Sequence, residues 1–299
     1  MLYVLFNLRA GNCYEEKIRP KLVEFFKTEE MIATNVVDID DKRAFMEGLS
    51  SDDILVLVGG DGTLNRFVNA IDDKEYPFPI YCYAGGSGND FVHDVTNGTN
   101  DALVKINNYI HNLPRAYIKG KEYKFLNGIG FGIDGYCCEE GEKYKDRTGG
   151  KAPNYTNIAL KGFFGAFSPV NAKVTIDGET KSYKNVWMVP TMNGRYFGGG
   201  MMITPDQSRE DPNQDLSIVV LTSKSRLRIL TIFPKIFTGG HVKYEKVIKI
   251  FKGKEVTVEF DKPTSLQLDG ETITEVTTYT AKSYALLGNE EKETELSMI

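Results

Sequence analysis

The run Ile54-Leu55-Val56-Leu57-Val58-Gly59-Gly60-Asp61-Gly62-Thr63-Leu64-Asn65 constrains the fold more than any other stretch of this chain. Its five leading apolar residues, three of them β-branched, predict a strand buried on both faces. The Gly-Gly-Asp-Gly that follows cannot continue a strand and suits a tight turn. Thr63 is placed to cap a helix whose apolar positions Leu64, Phe67, Val68 and Ile71 share one face. Strand, glycine turn and helix start present backbone N–H groups and a helix dipole to a phosphate. An ordinary turn needs fewer glycines. The run matches neither the Walker A loop nor the dinucleotide fingerprint. Asp61 would repel phosphate unless a cation lay between them, which points to a magnesium nucleotide.

The flanking segments repeat this grammar. Leu2–Phe6 reads as a strand rather than a secretion signal, followed by the loop Asn7-Leu8-Arg9-Ala10-Gly11 and a helix carrying Tyr14, Ile18, Leu22 and Phe25 on one face. A short strand, Ile32–Val37, contains Thr34, and a short helix carries Phe45, Met46 and Leu49. Phe78–Tyr83 is a further strand that ends in Ala84-Gly85-Gly86-Ser87-Gly88-Asn89-Asp90-Phe91, with a helix from Phe91 and another over Asp101–Ile110. Alternating strands and helices predict a parallel sheet covered on both faces, with its glycine loops at the carboxyl edge where ligands bind.

Beyond about residue 116 the chain becomes short β runs: Tyr117–Ile118, Tyr123–Asn127, Val174–Ile176, Tyr183–Pro190, Leu216–Leu221, Val247–Phe251, Val256–Phe260 and Leu266–Leu268. Hairpin-like connections predict an antiparallel sandwich or barrel. Helical segments over Tyr155–Phe167 and Arg226–Phe237 interrupt it, and Glu139–Asn154, charged and without periodicity, is expected as a mobile loop. The fold class is therefore α/β plus β: an α/β nucleotide-binding domain over 1–115, a β-sandwich domain over 116–285 and a C-terminal tail over 286–299 that would return to the first domain, with its acidic last ten residues, Glu290–Ile299, free to fray.

Composition excludes several classes. A net charge of −5 argues against a nucleic-acid surface, and no apolar run approaches the length of a membrane span. Cys13, Cys82, Cys137 and Cys138 form no Cys-x-x-Cys pair and read as reduced thiols of a cytoplasmic protein. His93, His111 and His241 stand apart and read as structural or surface side chains.

In this order the motifs resemble the diacylglycerol kinase catalytic-domain family, which includes soluble bacterial lipid kinases and, more distantly, sphingosine and ceramide kinases. Gly59-Gly60-Asp61-Gly62-Thr63-Leu64-Asn65 matches the family's signature loop, and Gly86-Ser87-Gly88-Asn89-Asp90-Phe91 its Gly-Thr-x-Asn-Asp-Phe. Asn7 to Gly11 stands where the family has Asn-Pro-x-Ser/Thr-Gly, with Leu8 and Ala10 departing from it. Gly198-Gly199-Gly200 with Thr204-Pro205-Asp206, and Leu268-Asp269-Gly270-Glu271, follow in the family's order. The resemblance covers nearly the whole chain. It implies an NAD kinase- and phosphofructokinase-like domain for ATP and a β-sandwich domain for the lipid acceptor, with peripheral membrane contact and, often, a homodimer.

By that resemblance Asn7, Leu8, Arg9, Ala10, Gly11, Thr34, Gly59, Gly60, Asp61, Gly62, Thr63, Leu64, Asn65, Arg66 and Ser87 line the nucleotide site. Glu271 is the general base, and Asp61 and Asp90 join a magnesium-and-water network between the domains. Asp-Gly-Glu also occurs at Asp177-Gly178-Glu179, and local sequence alone leaves the two copies tied, since either makes a hairpin turn. Some relatives bind a structural magnesium at the turn matching Ser208–Asp215; Asp211 would be its carboxylate ligand, and Ser208 and Asn213 would offer carbonyls. Pro212 replaces glycine there and reshapes the turn. Phe163, Phe164 and Phe167 with Leu160 form either a core-facing helix or an apolar wall for acyl chains and membrane. Three functions stand open: an ATP-dependent lipid kinase, a kinase of a soluble acceptor such as NAD, and a non-catalytic nucleotide- or lipid-binding regulator.

Overall fold

The computed structural model describes residues 1–7, 14–86, 88–99, 102–151 and 153–287. The expectations placed on Leu8, Arg9, Ala10, Gly11, Cys13, Ser87 and the tail from 288 lie outside the described residues. The chain divides into two compact units, Met1–Asn112 and Leu113–Ile299.

The first unit is built on β1 (Leu2–Phe6), α1 (Arg19–Phe26), β2 (Met31–Asn35), α2 (Lys42–Glu47), β3 (Ile54–Gly59), α3 (Asp61–Ala70), β4 (Ile80–Ala84), α4 (Asp90–Val95), β5 (Leu103–Lys105) and α5 (Asn107–Ile110). The strand order is β2-β1-β3-β4-β5. The first four strands are parallel, and β5 closes one edge antiparallel to β4. Leu55, Val56 and Leu57 of β3 are fully buried, as a central strand covered on both faces requires. Leu64, Phe67 and Val68 of α3, and Ile71 just after it, are all buried, each burial contributing about 1.5–3 kcal/mol. Ile18 and Leu22 are also buried, whereas Phe25 stays half exposed against the rings of Phe26 and Tyr81.

The helix expected over Asp101–Ile110 is corrected to a short edge strand and one helical turn. The Asn107 side chain accepts from the Ile80 N–H at 2.8 Å and donates to the Phe78 carbonyl at 2.9 Å. By extending the strand-like pairing along β4, it favours the edge over a helix.

The second unit contains β6 (Arg115–Ile118), β7 (Lys121–Lys124), β8 (Gly128–Gly132), α6 (Ile133–Thr148), α7 (Tyr155–Lys161), a π turn (Gly162–Ala166), β9 (Val170–Ile176) and β10 (Glu179–Met192). It continues with β11 (Tyr196–Phe197), β12 (Met201–Met202), β13 (Leu216–Thr222), α8 (Arg226–Ile236), β14 (Ile248–Gly253), β15 (Glu255–Leu268) and β16 (Glu271–Lys282). Its main sheet runs β14-β13-β10-β8-β15-β16-β6-β7, and β9 pairs with both β10 and β15. The long strands β10 and β15 thus share β8 at one end and β9 at the other, and register shifts between Tyr183 and Val186 and between Glu259 and Thr264 bend them. The folded-over sheet encloses a core that includes Phe125, Phe131, Val189, Ile218, Val258 and Tyr279.

Three expectations change here. The strands expected at Val256–Phe260 and Leu266–Leu268 are one strand, β15. Glycine-rich β8 and threonine-rich β16 are strands that apolar alternation did not mark. The mobile loop expected over Glu139–Asn154 is mostly the second half of α6. That half holds itself by local terms. Lys143 pairs with Glu139 at 2.7 Å and Glu140 at 2.9 Å. Left-handed Gly149 ends the helix, and Gly150 donates back to the Lys145 carbonyl. Apolar periodicity is missing because the face it buries consists of Ile133, Asp134, Gly135 and Gly141.

Candidate functional site

Two glycine loops interlock at the carboxyl edge of the first unit's sheet. The Asp61 N–H donates to the Gly88 carbonyl at 3.0 Å, and Gly85 donates to the Gly59 carbonyl at 2.9 Å. A Cβ on Gly60 would lie 2.5 Å from the Gly88 carbonyl oxygen, and one on Gly86 2.5 Å from the Gly60 Cα. These glycines are required by the approach of one backbone to another. The Asn89 side chain closes the second loop, donating to the Gly86 carbonyl at 2.8 Å.

Asp61 ties the loops together. Its carboxylate accepts the backbone N–H groups of Asp90 at 2.7 Å and Phe91 at 3.0 Å, the first two residues of α4. An acid in the first turn of α3 therefore caps α4 as well. Thr63 does not cap α3 as expected. The cap position falls to Gly60, and the Thr63 hydroxyl instead accepts from Asn7 Nδ2 at 2.9 Å, fixing the end of β1 beside the start of α3. Thr34 sits near the carboxyl end of β2, opposite Leu5. The edge thus gathers Asn7, Thr34, Gly59 to Thr63 and Asp90. Leu64 and Asn65 are buried within α3, and Arg66 is exposed on it.

In the second unit, Asp269-Gly270 is the turn between β15 and β16, with φ values of 47° and 88°. Asp177-Gly178 makes the same turn at 47° and 86°. Burial separates the two copies. Asp269 is buried, and its carboxylate accepts from the N–H groups of Leu126 at 2.6 Å, Asn127 at 2.7 Å and Gly128 at 2.9 Å. Asp177 is exposed and holds only Lys254 and Glu255. Glu179 is a solvated side chain facing Lys181. Glu271 is partly buried at the start of β16, close enough to Tyr155 of α7 for its charge to act on that phenol. Burial is the main reason the Tyr155 hydroxyl is pushed up to about 12, and the neighbouring Cys138, Glu142, Cys137 and Glu271 add to it.

The residue that sequence reading missed is Asp134, the second residue of α6. It is buried, and neither carboxylate oxygen has a hydrogen-bond partner. Desolvation pushes its pKa up to about 6; its own N–H, the Gly135 N–H and Gln267 counter this without reaching hydrogen-bond geometry. Gln267 Nε2 and Thr272 Oγ1 are buried and unpartnered too, and Gln267 and Thr272 face each other across β15 and β16. The other end of the Gln267 amide accepts from the Gly270 N–H at 3.1 Å, joining this group to the Asp269–Glu271 turn. A signal was present in the sequence: Phe131-Gly132-Ile133-Asp134 runs from strand through glycine to acid, as Val58-Gly59-Gly60-Asp61 does.

The turn assigned to a structural magnesium is closed on itself. The Ser208 carbonyl accepts from Asp211 N–H at 3.3 Å, Asp211 Oδ1 accepts from Asn213 N–H at 2.9 Å, and Asp211 Oδ2 faces Lys252 Nζ at 3.4 Å. The Lys252 ammonium already faces the single carboxylate and the Ser208 carbonyl is already taken, so these residues do not fit a structural metal. No cluster of three acidic, histidine or cysteine side chains suited to a metal occurs among the described residues. Asp61 and Asp90 are different. Magnesium needs only one or two protein carboxylates beside phosphates and water, and a carboxylate oxygen has lone pairs for more than one partner.

Phe163 and Phe167 belong to the core with Trp187 and Ile229, so the core reading holds for both, while Phe164 is 74% exposed. No described helix is long and apolar enough to cross a membrane.

The chain belongs to the diacylglycerol kinase-like family. Residues 1–119 match the diacylglycerol kinase catalytic domain, and residues 127–285 match the YegS C-terminal NAD kinase beta sandwich-like domain. Among curated relatives, the lipid kinase candidate YtlR of Bacillus subtilis is 24% identical over 238 residues, 73% of either chain. A lipid kinase candidate of Staphylococcus epidermidis is 27% identical over 245 residues, 75% of this chain and 72% of its own. A crystal structure of a diacylglycerol kinase from Bacillus anthracis shares the fold with a TM-score of 0.65 at 20% identity, covering 95% and 94% of the two chains.

Proposed function

We propose that the protein is an ATP-dependent lipid kinase that transfers the γ-phosphoryl group of ATP to the hydroxyl of diacylglycerol or a related lipid alcohol. The observation that carries the acceptor reading is the orphaned polar group in the second unit. The Asp134 carboxylate, Gln267 Nε2 and Thr272 Oγ1 are buried without internal partners, at a cost of about 1–3 kcal/mol for each neutral group. An ester carbonyl of such a lipid can accept from Gln267 Nε2 and Thr272 Oγ1, which leaves the hydroxyl proton for Glu271.

Phosphoryl transfer needs positioning, charge neutralisation and a base. The Asp61 and Thr63 N–H groups are engaged by the Gly88 and Gly60 carbonyls, so the N–H groups of Gly60 and Gly62 are the ones in this loop that bind and orient the phosphates at the start of α3. Arg66, together with the expected Arg9, adds positive charge, and the segment around Leu8, Ala10 and Gly11 and Ser87 completes the nucleotide contact. Magnesium, when bound with the nucleotide, neutralises phosphate charge, and Asp61 and Asp90 are the residues that would hold it. Glu271 takes the hydroxyl proton as the new O–P bond forms and ADP departs. The reading places the protein in the cytoplasm, reaching its substrate at the bilayer surface. A panel of acceptors with γ-labelled ATP tests it: label on diacylglycerol and none on NAD is expected, and label on NAD alone would sink it.

A further inference from the structure

Two stretches of the chain, 147–176 and 216–244, contain no acidic residue, yet they carry nine lysines and arginines in a protein of net charge −5. The fold brings them together. Phe163, from the first stretch, packs edge-on against Phe233, from the second, at 4.9 Å. Arg226 at the start of α8 donates to the carbonyls of Phe163 at 3.1 Å and Phe167 at 2.9 Å, pinning the π turn against α8. Next in sequence to this clamp stand Phe164 and Leu227, each 74% exposed, the two most exposed large apolar side chains among the described residues. Gly165 beside Phe164 has φ 142° and open space where a Cβ would be, so the turn tip projects into solvent. Lys161, Lys224, Arg228 and Lys235 are exposed on the same elements.

Single exposed apolar residues need no explanation. A phenylalanine and a leucine on adjoining elements, ringed by cations over stretches emptied of acids, fit the interface of an anionic bilayer, where apolar side chains enter the headgroup boundary and each nearby cation adds attraction. We propose that the π turn and the start of α8 form the membrane-docking edge, with Phe164 and Leu227 inserting and Lys161, Lys224 and Arg228 meeting anionic headgroups. The net negative charge of the whole chain opposes such a surface, so attraction must be local, and the exclusion of acids supplies it. A second copy of this acidic chain would cover the apolar pair without requiring that exclusion. The purpose of the edge rests on the lipid-kinase reading, but vesicle binding itself needs no phosphoryl transfer.

Flotation of the full chain, without nucleotide, on vesicles of phosphatidylcholine alone and of phosphatidylcholine mixed with phosphatidylglycerol is the test. The wild type is expected on the mixed vesicles, less on the neutral ones and less at high salt. F164S/L227S, and separately K161E/R228E, should each lower partitioning by about tenfold or more. Their thermal unfolding and their turnover of a water-soluble short-chain diacylglycerol should match the wild type. Wild type that binds neither vesicle, or variants that bind as it does, would overturn the proposal. So would a dimer that F164S/L227S makes monomeric without changing vesicle binding. Vesicle binding that follows the prediction in a protein that phosphorylates no lipid would leave this edge standing and remove the lipid-kinase reading instead.

Discussion

The Asp61 carboxylate holds the Asp90 backbone N–H at 2.7 Å, so the acid of one glycine loop caps the helix that leaves the next. This gives Asp61 a structural task before any ligand arrives. The aspartate also takes the Phe91 N–H at 3.0 Å, and both donors are left unsatisfied in Asp61→Ala. That variant should lose about 1–3 kcal/mol and its affinity for ATP together. Asp61→Asn keeps one acceptor oxygen and should lose less stability. Thermal unfolding followed by circular dichroism, with titration of a non-hydrolysable ATP analogue, separates the two.

The glycines of the interlock are not equivalent. Gly60→Ala puts a methyl 2.5 Å from a backbone oxygen and should cost about 1–3 kcal/mol or more, with loss of nucleotide binding. Gly88→Ala meets only Asp61 Oδ2 at 3.5 Å and should be tolerated. Equal unfolding midpoints for the two variants would contradict the packing described.

Asp134 sets a pH dependence whose sign follows from burial. Its folded pKa of about 6 exceeds the 3.8 of a solvated aspartate, so the folded state favours the protonated acid. That contribution is full below the lower value and is lost as pH rises through the upper one. Above it the fold carries a buried unpaired charge at a cost of about 3 kcal/mol. Asp134→Asn should therefore match wild type near pH 4, gain on it between about pH 4 and 6, and stay ahead at neutral pH. Chemical denaturation across that range checks it.

At the Ser208–Asp215 turn, Lys252 already supplies positive charge to Asp211. Neither magnesium nor a chelator should shift thermal unfolding of the nucleotide-free protein. In Lys252→Met, Asp211 loses its cationic partner, and unfolding should become sensitive to magnesium.

Much of the first unit could be read in advance because its signals are local. The buried run of β3, the glycines after it and the single apolar face of α3 lie within one short stretch. What escaped depended on tertiary context. Gly128–Gly132 makes a central strand because its neighbours, Met192 and Pro190 among them, leave no room for a Cβ at Gly128 and Gly130. The buried face of α6 contains glycines and an acid, so no hydrophobic period betrays it. Thr63 had the right chemistry for a cap, but Asn7, distant in sequence, claims its hydroxyl. The two Asp-Gly turns share backbone geometry, and only the three N–H groups gathered by Asp269 distinguish the buried one.

The most direct measurement of the central claim is transfer of label from γ-labelled ATP to diacylglycerol by the wild type and by Glu271→Gln. The wild type should label the lipid, and the variant should fall by about 10²–10⁴-fold while still binding the ATP analogue. Label on the lipid at an undiminished rate in Glu271→Gln, or none on the lipid with the wild type, would contradict the account.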